Sequence, residues 1–150
     1  MTTLEFTSRI PTDQRSLFNF HTNFSNVEIV TPSFITMRFI TIPDQMREGS
    51  NMTVELRQFG RWMPWDVTVE CLIPNSLMVD VQTGRGPFKT WRHEHHFIEK
   101  SDGVYLLDRL HYELPFGTAG KLFDRIVFRT MNRLLFSYRH KKTKEYFLRS

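Results

Sequence analysis

Residues Trp91–Leu114 read WRHEHHFIEKSDGVYLLDRLHYEL, and the alternation in this stretch decides the kind of fold. Trp91, His93, His95 and Phe97 fall on one face of an extended backbone, opposite Arg92, Glu94, His96 and Ile98. Past Ser101-Asp102-Gly103 the alternation resumes, with Leu106, Asp108, Leu110, Tyr112 and Leu114 opposite Leu107, Arg109, His111 and Glu113. Side chains two apart share a strand face, and an Asp-Gly turn joins two such runs as an antiparallel hairpin. The spacing predicts strands over 88–99 and 104–114, with the sets holding Trp91, Phe97 and Leu106 turned to the core.

Working outward, strand-like runs recur at 34–42, 52–59, 64–73 and 77–83, joined at Asp44 to Asn51, Gly60-Arg61, Pro74-Asn75-Ser76 and Gly84 to Pro87. Joints this short suit an antiparallel meander, because parallel neighbours need crossovers of a dozen residues or more. The seven prolines fall between the predicted elements. Trp65, Val67, Val69, Cys71 and Ile73 form the apolar face of the 64–73 strand. In the 77–83 strand two faces compete, Leu77, Val79 and Val81 against Asp80 and Gln82.

Upstream, Leu4, Phe6, Ser8 and Ile10 alternate in a strand that Pro11 ends. Thr12 or Asp13 then caps a short helix through Phe20, with Leu17, Phe18 and Phe20 inward. A second short helix over 24–30 stops at Thr31-Pro32, since proline disfavours helix at the residue before it. Downstream of Pro115-Phe116-Gly117, residues 118–146 contain no proline, and no glycine after Gly120. Leu122, Ile126, Arg129 or Thr130, Arg133 or Leu134, and Ser137 or Tyr138 recur there at helical spacing. Such a helix runs on the order of 40 Å and is the one element able to cover a curved sheet. The prediction is an α+β chain of order β-α-α-β6-α, a bent seven-stranded antiparallel sheet around a long C-terminal helix, as a single domain over 1–150.

Composition narrows the function classes. The chain is 40% hydrophobic and 24% charged, which is globular composition, and its 14% aromatic content stands out. A single cysteine, Cys71, excludes an internal disulfide and reads as a small buried hydrophobe. The start, Met1 to Phe6, shows no signal peptide, and no run approaches the roughly 18 apolar residues of a membrane span. The expected setting is cytoplasmic, with no stable membrane insertion. Residues 121–150 carry nine Lys and Arg against Asp124 and Glu145, whereas the rest of the chain is net acidic. That asymmetry reads first as a solvated helix face and second as a surface for anionic lipid. No aromatic RNA-binding motif accompanies it, so no nucleic-acid partner is expected.

His93, His95, Asp108 and Tyr112 are polar groups on the core side of the hairpin. An unpaired buried polar group costs roughly 1–3 kcal/mol, so these must satisfy one another, face water or line a cavity. His93 and His95 with Asp108 offer a weak zinc pattern. No further ligand stands at a suggestive spacing, so neither metal nor cofactor is expected. Trp65, Phe88, Trp91, Phe97 and Tyr112 supply aromatic surface for a ligand or a packed core. Gly84-Arg85-Gly86-Pro87 is no phosphate loop, lacking the Lys-Ser/Thr of that motif.

The run from Asp80 to Phe97 resembles the Asp-x-Gln…Gly-Pro-Phe…Trp-x-His-x-His-x-Phe segment of bacterial ligand-binding proteins in the START-like (SRPBCC) superfamily. Further matches are Thr31-Pro32, Trp65, Asp108-x-x-x-Tyr112-x-Leu114-Pro115 followed by Gly117 and Gly120, and Arg139 in Phe136-Ser137-Tyr138-Arg139. The resemblance covers nearly the whole chain. It implies a helix-grip, Bet v 1-like fold with a deep cavity, and relatives among polyketide cyclases and dehydratases, sterol and lipid carriers and plant ligand-binding proteins. The glycine-rich loop of the plant members is missing, with only Glu48-Gly49-Ser50-Asn51 in its place, so their ligands do not carry over.

Two functions follow as expectations. The first is a module binding an apolar or amphipathic small molecule (lipid, polyketide or aromatic) between sheet and C-terminal helix. In it Trp65, Phe88, Trp91, Phe97 and Tyr112 give contact area, and His93, His95, Asp108 and Tyr112 hold the polar end. The second is a cyclase or dehydratase in which His93 or His95, oriented by Asp108 or Asp80, is the general base.

Overall fold

A hairpin closes at Asp102-Gly103, where Lys100 pairs with Gly103 and the glycine takes a φ of 141° that a side chain rarely tolerates. The computed structural model describes residues 1–150. Strands β1 (Thr2–Ile10), β2 (Met37–Thr41), β3 (Asn51–Gln58), β4 (Arg61–Ile73), β5 (Leu77–Gln82), β6 (Thr90–Lys100) and β7 (Gly103–Glu113) form one antiparallel sheet of order β1-β7-β6-β5-β4-β3-β2. Helix α1 (Gln14–Thr22) follows β1, capped by the Asp13 carboxylate accepting from the Ser16 N–H at 2.9 Å. The C-terminal helix runs through α2 (Gly117–Phe123), a π-helical turn (Asp124–Phe128) and α3 (Arg129–Arg149). This is the expected helix-grip arrangement.

The inward faces of β1, β6 and β7 match the predicted alternation. Ile10, Phe97, Val104 and Leu106 pack with Leu17 and Phe18 of α1 in one apolar cluster. Leu4, Phe88, Trp91, Leu110, Tyr112 and Phe136 form a second cluster beneath the C-terminal helix. Between the two lies a belt of buried polar residues, His93, His95, Asp108 and His140.

Several boundaries differ from expectation, each for a local reason. Only Phe24–Asn26 of the second short helix is regular, as a single 3-10 turn, and the 34–42 strand is confined to β2. Pro64 lies inside β4, opposite Glu55, because β5 joins β4 only from Val67 onward and leaves that flank without a ladder to disrupt. A bulge between Val69 and Cys71 then reverses the facing of β4. Leu72 packs on the core in place of the predicted Cys71 and Ile73, which leaves Cys71 half-buried and Ile73 49% exposed. In β5, Met78 and Asp80 face inward, opposite His95 and His93, and this settles the competing faces.

The largest correction concerns the C-terminal helix. The stripe read at helical spacing is turned to solvent, with Leu122 58% and Ile126 65% exposed. The buried face runs instead through Gly120, Asp124, Asn132, Phe136, His140 and Thr143. Most of these are polar and satisfied, so a search for apolar periodicity selects the wrong side. Gly120 is required there, since a Cβ would stand 2.0 Å from the Pro115 carbonyl oxygen.

Candidate functional site

Two polar clamps hold the helix against one side of the sheet. At the π-helical turn, Asp124 accepts from Tyr112 OH at 2.5 Å, from Thr2 Oγ1 at 2.8 Å and from Arg129 Nε at 2.9 Å. About four turns on, His140 lies 2.8 Å from both Ser8 Oγ and Asp108 Oδ2, while Phe136 stacks on Phe6 at 5.0 Å. Both clamps grip β1 and β7. Over β2 to β5 the helix stands away from the sheet, and there a cavity of about 210 Å³ opens.

The cavity is mostly apolar, with 18 of its 27 lining residues hydrophobic. Five of the chain's seven methionines line it, Met37, Met46, Met52, Met78 and Met131, giving an adaptable wall. One side ends on Asp80, His93 and His95. His93 Nε2 lies 2.9 Å from Asp108 Oδ1, and His95 Nε2 lies 2.8 Å from Asp80 Oδ2. Trp91 Nε1 donates to the other oxygen of Asp80 at 3.2 Å. His95 Nδ1 lies 3.1 Å from Asp108 Oδ1.

The Asp-x-Gln…Gly-Pro-Phe run builds the wall beside these groups. Gln82 donates to the Phe88 carbonyl at 2.7 Å, so the loop doubles back and inserts Phe88 against Trp65 and Trp91. Gly86 is the residue that permits the fold-back, because a Cβ there would meet Gln82 Oε1 at 2.0 Å and Trp65 Cδ1 at 2.7 Å.

Of the predicted site residues, Trp65, Phe88, Trp91, His93 and His95 line the cavity. Phe97, Asp108 and Tyr112 do not. Phe97 is part of the cluster under α1, Asp108 lies behind both histidines, and Tyr112 is tied to Asp124 and not to the predicted polar group. Asp80, named from the sequence only as a possible partner of the histidines, also lines the cavity, and three further residues complete the site: His21, Arg139 and His140. His21 follows Leu17 by one helical turn, and His140 follows Phe136 by the same interval, so inward spacing was the available signal. Arg139 stands in the matched helix segment, but its direction into the cavity is visible only in three dimensions.

The two histidines of β6 are driven apart in proton affinity. Burial dominates at His93 and, with the neighbouring His95 charge, lowers its pKa. Burial also opposes the charge on His95, yet hydrogen bonds and charges from Asp108 and Asp80 outweigh it and push the imidazole up to about 9. Asp108 is held well below the usual carboxylate range despite burial, by its bonds to His140, His93 and His95. His21 is pulled down to about 3, first by burial and then by surrounding positive groups. At neutral pH the site thus holds an imidazolium at His95 between two carboxylates, beside neutral His93 and His21.

Asp80, His93 and His95 also present three possible metal-ligand atoms within 4.8 Å of one another, with Asp80 in the place first given to Asp108. Protons already balance this group, and a cation would have to displace the one on His95.

No protein-family model matches the sequence, and no curated protein matches it. Solved structures do share its shape. A Chromobacterium violaceum protein is 12% identical over 98% of each chain, with a TM-score of 0.74. A Thermus thermophilus protein is 13% identical over 95% of this chain and 97% of its own, with a TM-score of 0.70. A major latex-like protein of Panax ginseng is 12% identical over 97% of each chain, with a TM-score of 0.71. At these identities the likeness is one of fold, the helix-grip fold that the sequence resemblance implied. No helix of the chain is long and apolar enough to cross a membrane.

Proposed function

We propose that this chain binds a small apolar or amphipathic molecule between β2–β5 and the C-terminal helix. The observation that carries the reading is the cavity itself, apolar along most of its length and closed at one side by Asp80, His93 and His95. Its volume of about 210 Å³ lies below the roughly 300–1,000 Å³ of pockets for drug-sized ligands, so the guest is correspondingly small. Native mass spectrometry of the purified protein, with solvent extraction, tests this together with titration of 2-naphthamide followed by calorimetry. The expected result is a co-purifying small molecule, or saturable binding of the probe that Trp65→Ala weakens. Protein that carries no guest and takes up no apolar probe overturns the reading.

One observation favours a second reading, a cyclase- or dehydratase-type enzyme. The separation of the two β6 histidines leaves His93 as the group able to accept a proton and His95 as the one already holding it. The base is then His93, through Nδ1, because its Nε2 donates to Asp108. In this reading His93→Gln abolishes turnover and preserves folding and guest binding. A variant altered only in melting temperature removes the catalytic role.

A further inference from the structure

The cavity wall contains hydrogen-bonding groups that nothing in the protein satisfies. His21 Nε2, Trp65 Nε1 and Arg139 Nε are buried without partners, and all three side chains line the cavity. Two of them, the indole N–H and the guanidinium N–H, can only donate. Buried donors without partners destabilise a fold, charged ones most of all, so their convergence on one space indicates what the space receives.

Arg139 gives the sharpest contrast. Arg129 and Lys142 are paired, with Asp124 and Glu145, and the helix's unpaired cations Lys121, Arg125, Arg133, Lys144 and Arg149 are exposed to water. Arg139 forms no ion pair and rests over the Phe136 ring, with its carbon 5.5 Å from the centroid. The only carboxylate lining the same cavity, Asp80, is occupied by His95 and Trp91. Asp108, deeper in the belt, is occupied by His140, His93 and His95. The wall therefore offers a guanidinium with no counter-ion next to an imidazolium whose own counter-ions are in place.

We infer that the guest is an acid: a small hydrophobic anion whose carboxylate, or an equivalent oxyanion, pairs with Arg139 while its apolar body lies along the methionines and Trp65. The inference rests on the cavity-binding reading and specifies its ligand class. A planar guanidinium suits a carboxylate because two of its N–H groups can meet both oxygens, and exclusion of water strengthens the pair.

Calorimetry with matched probes tests it: 2-naphthoate against 2-naphthamide, and octanoate against octanamide, each pair alike in shape, with a neutral amide in place of the carboxylate. The wild-type protein is expected to bind the acid of at least one pair tenfold or more tightly than its amide. Arg139→Met, chosen to keep the side chain's bulk, is expected to erase that preference, and Arg139→Lys to restore part of it. Circular dichroism and amide binding confirm that each variant is folded with its cavity intact. Equal affinities for acid and amide, or an acid preference that survives in Arg139→Met, overturn the inference while leaving cavity binding in place. Failure of all four probes to bind protein that carries no guest overturns both.

Discussion

His95 is the residue on which the polar belt turns, and its protonation sets a pH dependence that can be worked out by sign. Around it stand Asp80 from β5, Asp108 from β7, His93 beside it on β6 and His21 from α1, while from α3 Arg139 lines the same cavity and His140 is bonded to Asp108. The two carboxylates raise its pKa from 6.5 to about 9 in the folded state. A group raised on folding contributes stability that is fully present below its unfolded value and is lost as pH climbs to the folded one. His95 therefore stabilises the fold below pH 6.5 and loses that contribution through about pH 9, on the order of 3 kcal/mol at most. His21 has the opposite sign: lowered from 6.5 to about 3, it favours the fold above 6.5 and penalises it as pH falls toward 3. His93 acts in the same direction, and Asp80 and Asp108 add to the acid loss. Urea titrations across pH are expected to show maximal stability near pH 6.5. The alkaline limb between 6.5 and 9 should flatten in His95→Gln, even if the variant is less stable overall. A variant that keeps the wild-type slope there would show that His95 is not the group responsible.

At the scale of elements, strands were legible and the helix face was not. Period-two alternation named the inward residues of β1, β6 and β7, because a strand with one buried face must repeat every second residue. It failed past Val69, where one extra residue in β4 reverses every later side chain and leaves no mark in composition. The C-terminal helix failed for a different reason: its buried face is built from Asp124, Asn132, His140 and Thr143, whose fitness lies in their partners. A third of the site escaped for the same cause. His93 and His95 sit in a recognisable run, whereas Arg139, His140 and His21 acquire meaning only once α1 and α3 are laid on the sheet. The observed helix phase makes a prediction opposite to the periodic one. Ile126→Lys is expected to change unfolding free energy by no more than about 0.5 kcal/mol, as for surface positions generally. Phe136→Ala, which removes the ring stacked on Phe6 beneath the helix, should cost about 3–5 kcal/mol. Denaturant unfolding of the two variants compares them directly. A severe loss at Ile126 would mean that the apolar stripe, and not the polar one, faces the sheet.

For the molecule as a whole, the cavity is a consequence of where the helix is fastened. Clamps at Asp124 and His140 fix it over β1 and β7, so the sheet curves away beneath it toward β2 and the space between is left to the guest. Close packing is the default of protein interiors, and a cavity of about 210 Å³ left empty would forgo on the order of 5 kcal/mol of packing free energy. That is a large fraction of a typical stability of about 5–15 kcal/mol. A chain that merely needed to fold would gain by filling the space. Leu135 from the helix and Val54 from β3 both line it, and a larger side chain at either would take up part of its volume. Leu135→Phe and Val54→Phe are each expected to leave the melting temperature of the guest-free protein unchanged or to raise it by roughly 2–4 °C, the equivalent of about 1 kcal/mol in a chain of this size. The same substitutions should weaken binding of 2-naphthamide and 2-naphthoate together, by tenfold or more, because they remove volume and leave Arg139 untouched. That joint loss separates space from charge: Arg139→Met affects the acid alone, and cavity filling affects both. Variants that melt several degrees lower, as overpacked cores do, and still bind both probes with wild-type affinity would show that the probes lie elsewhere and that this space is already closed to them.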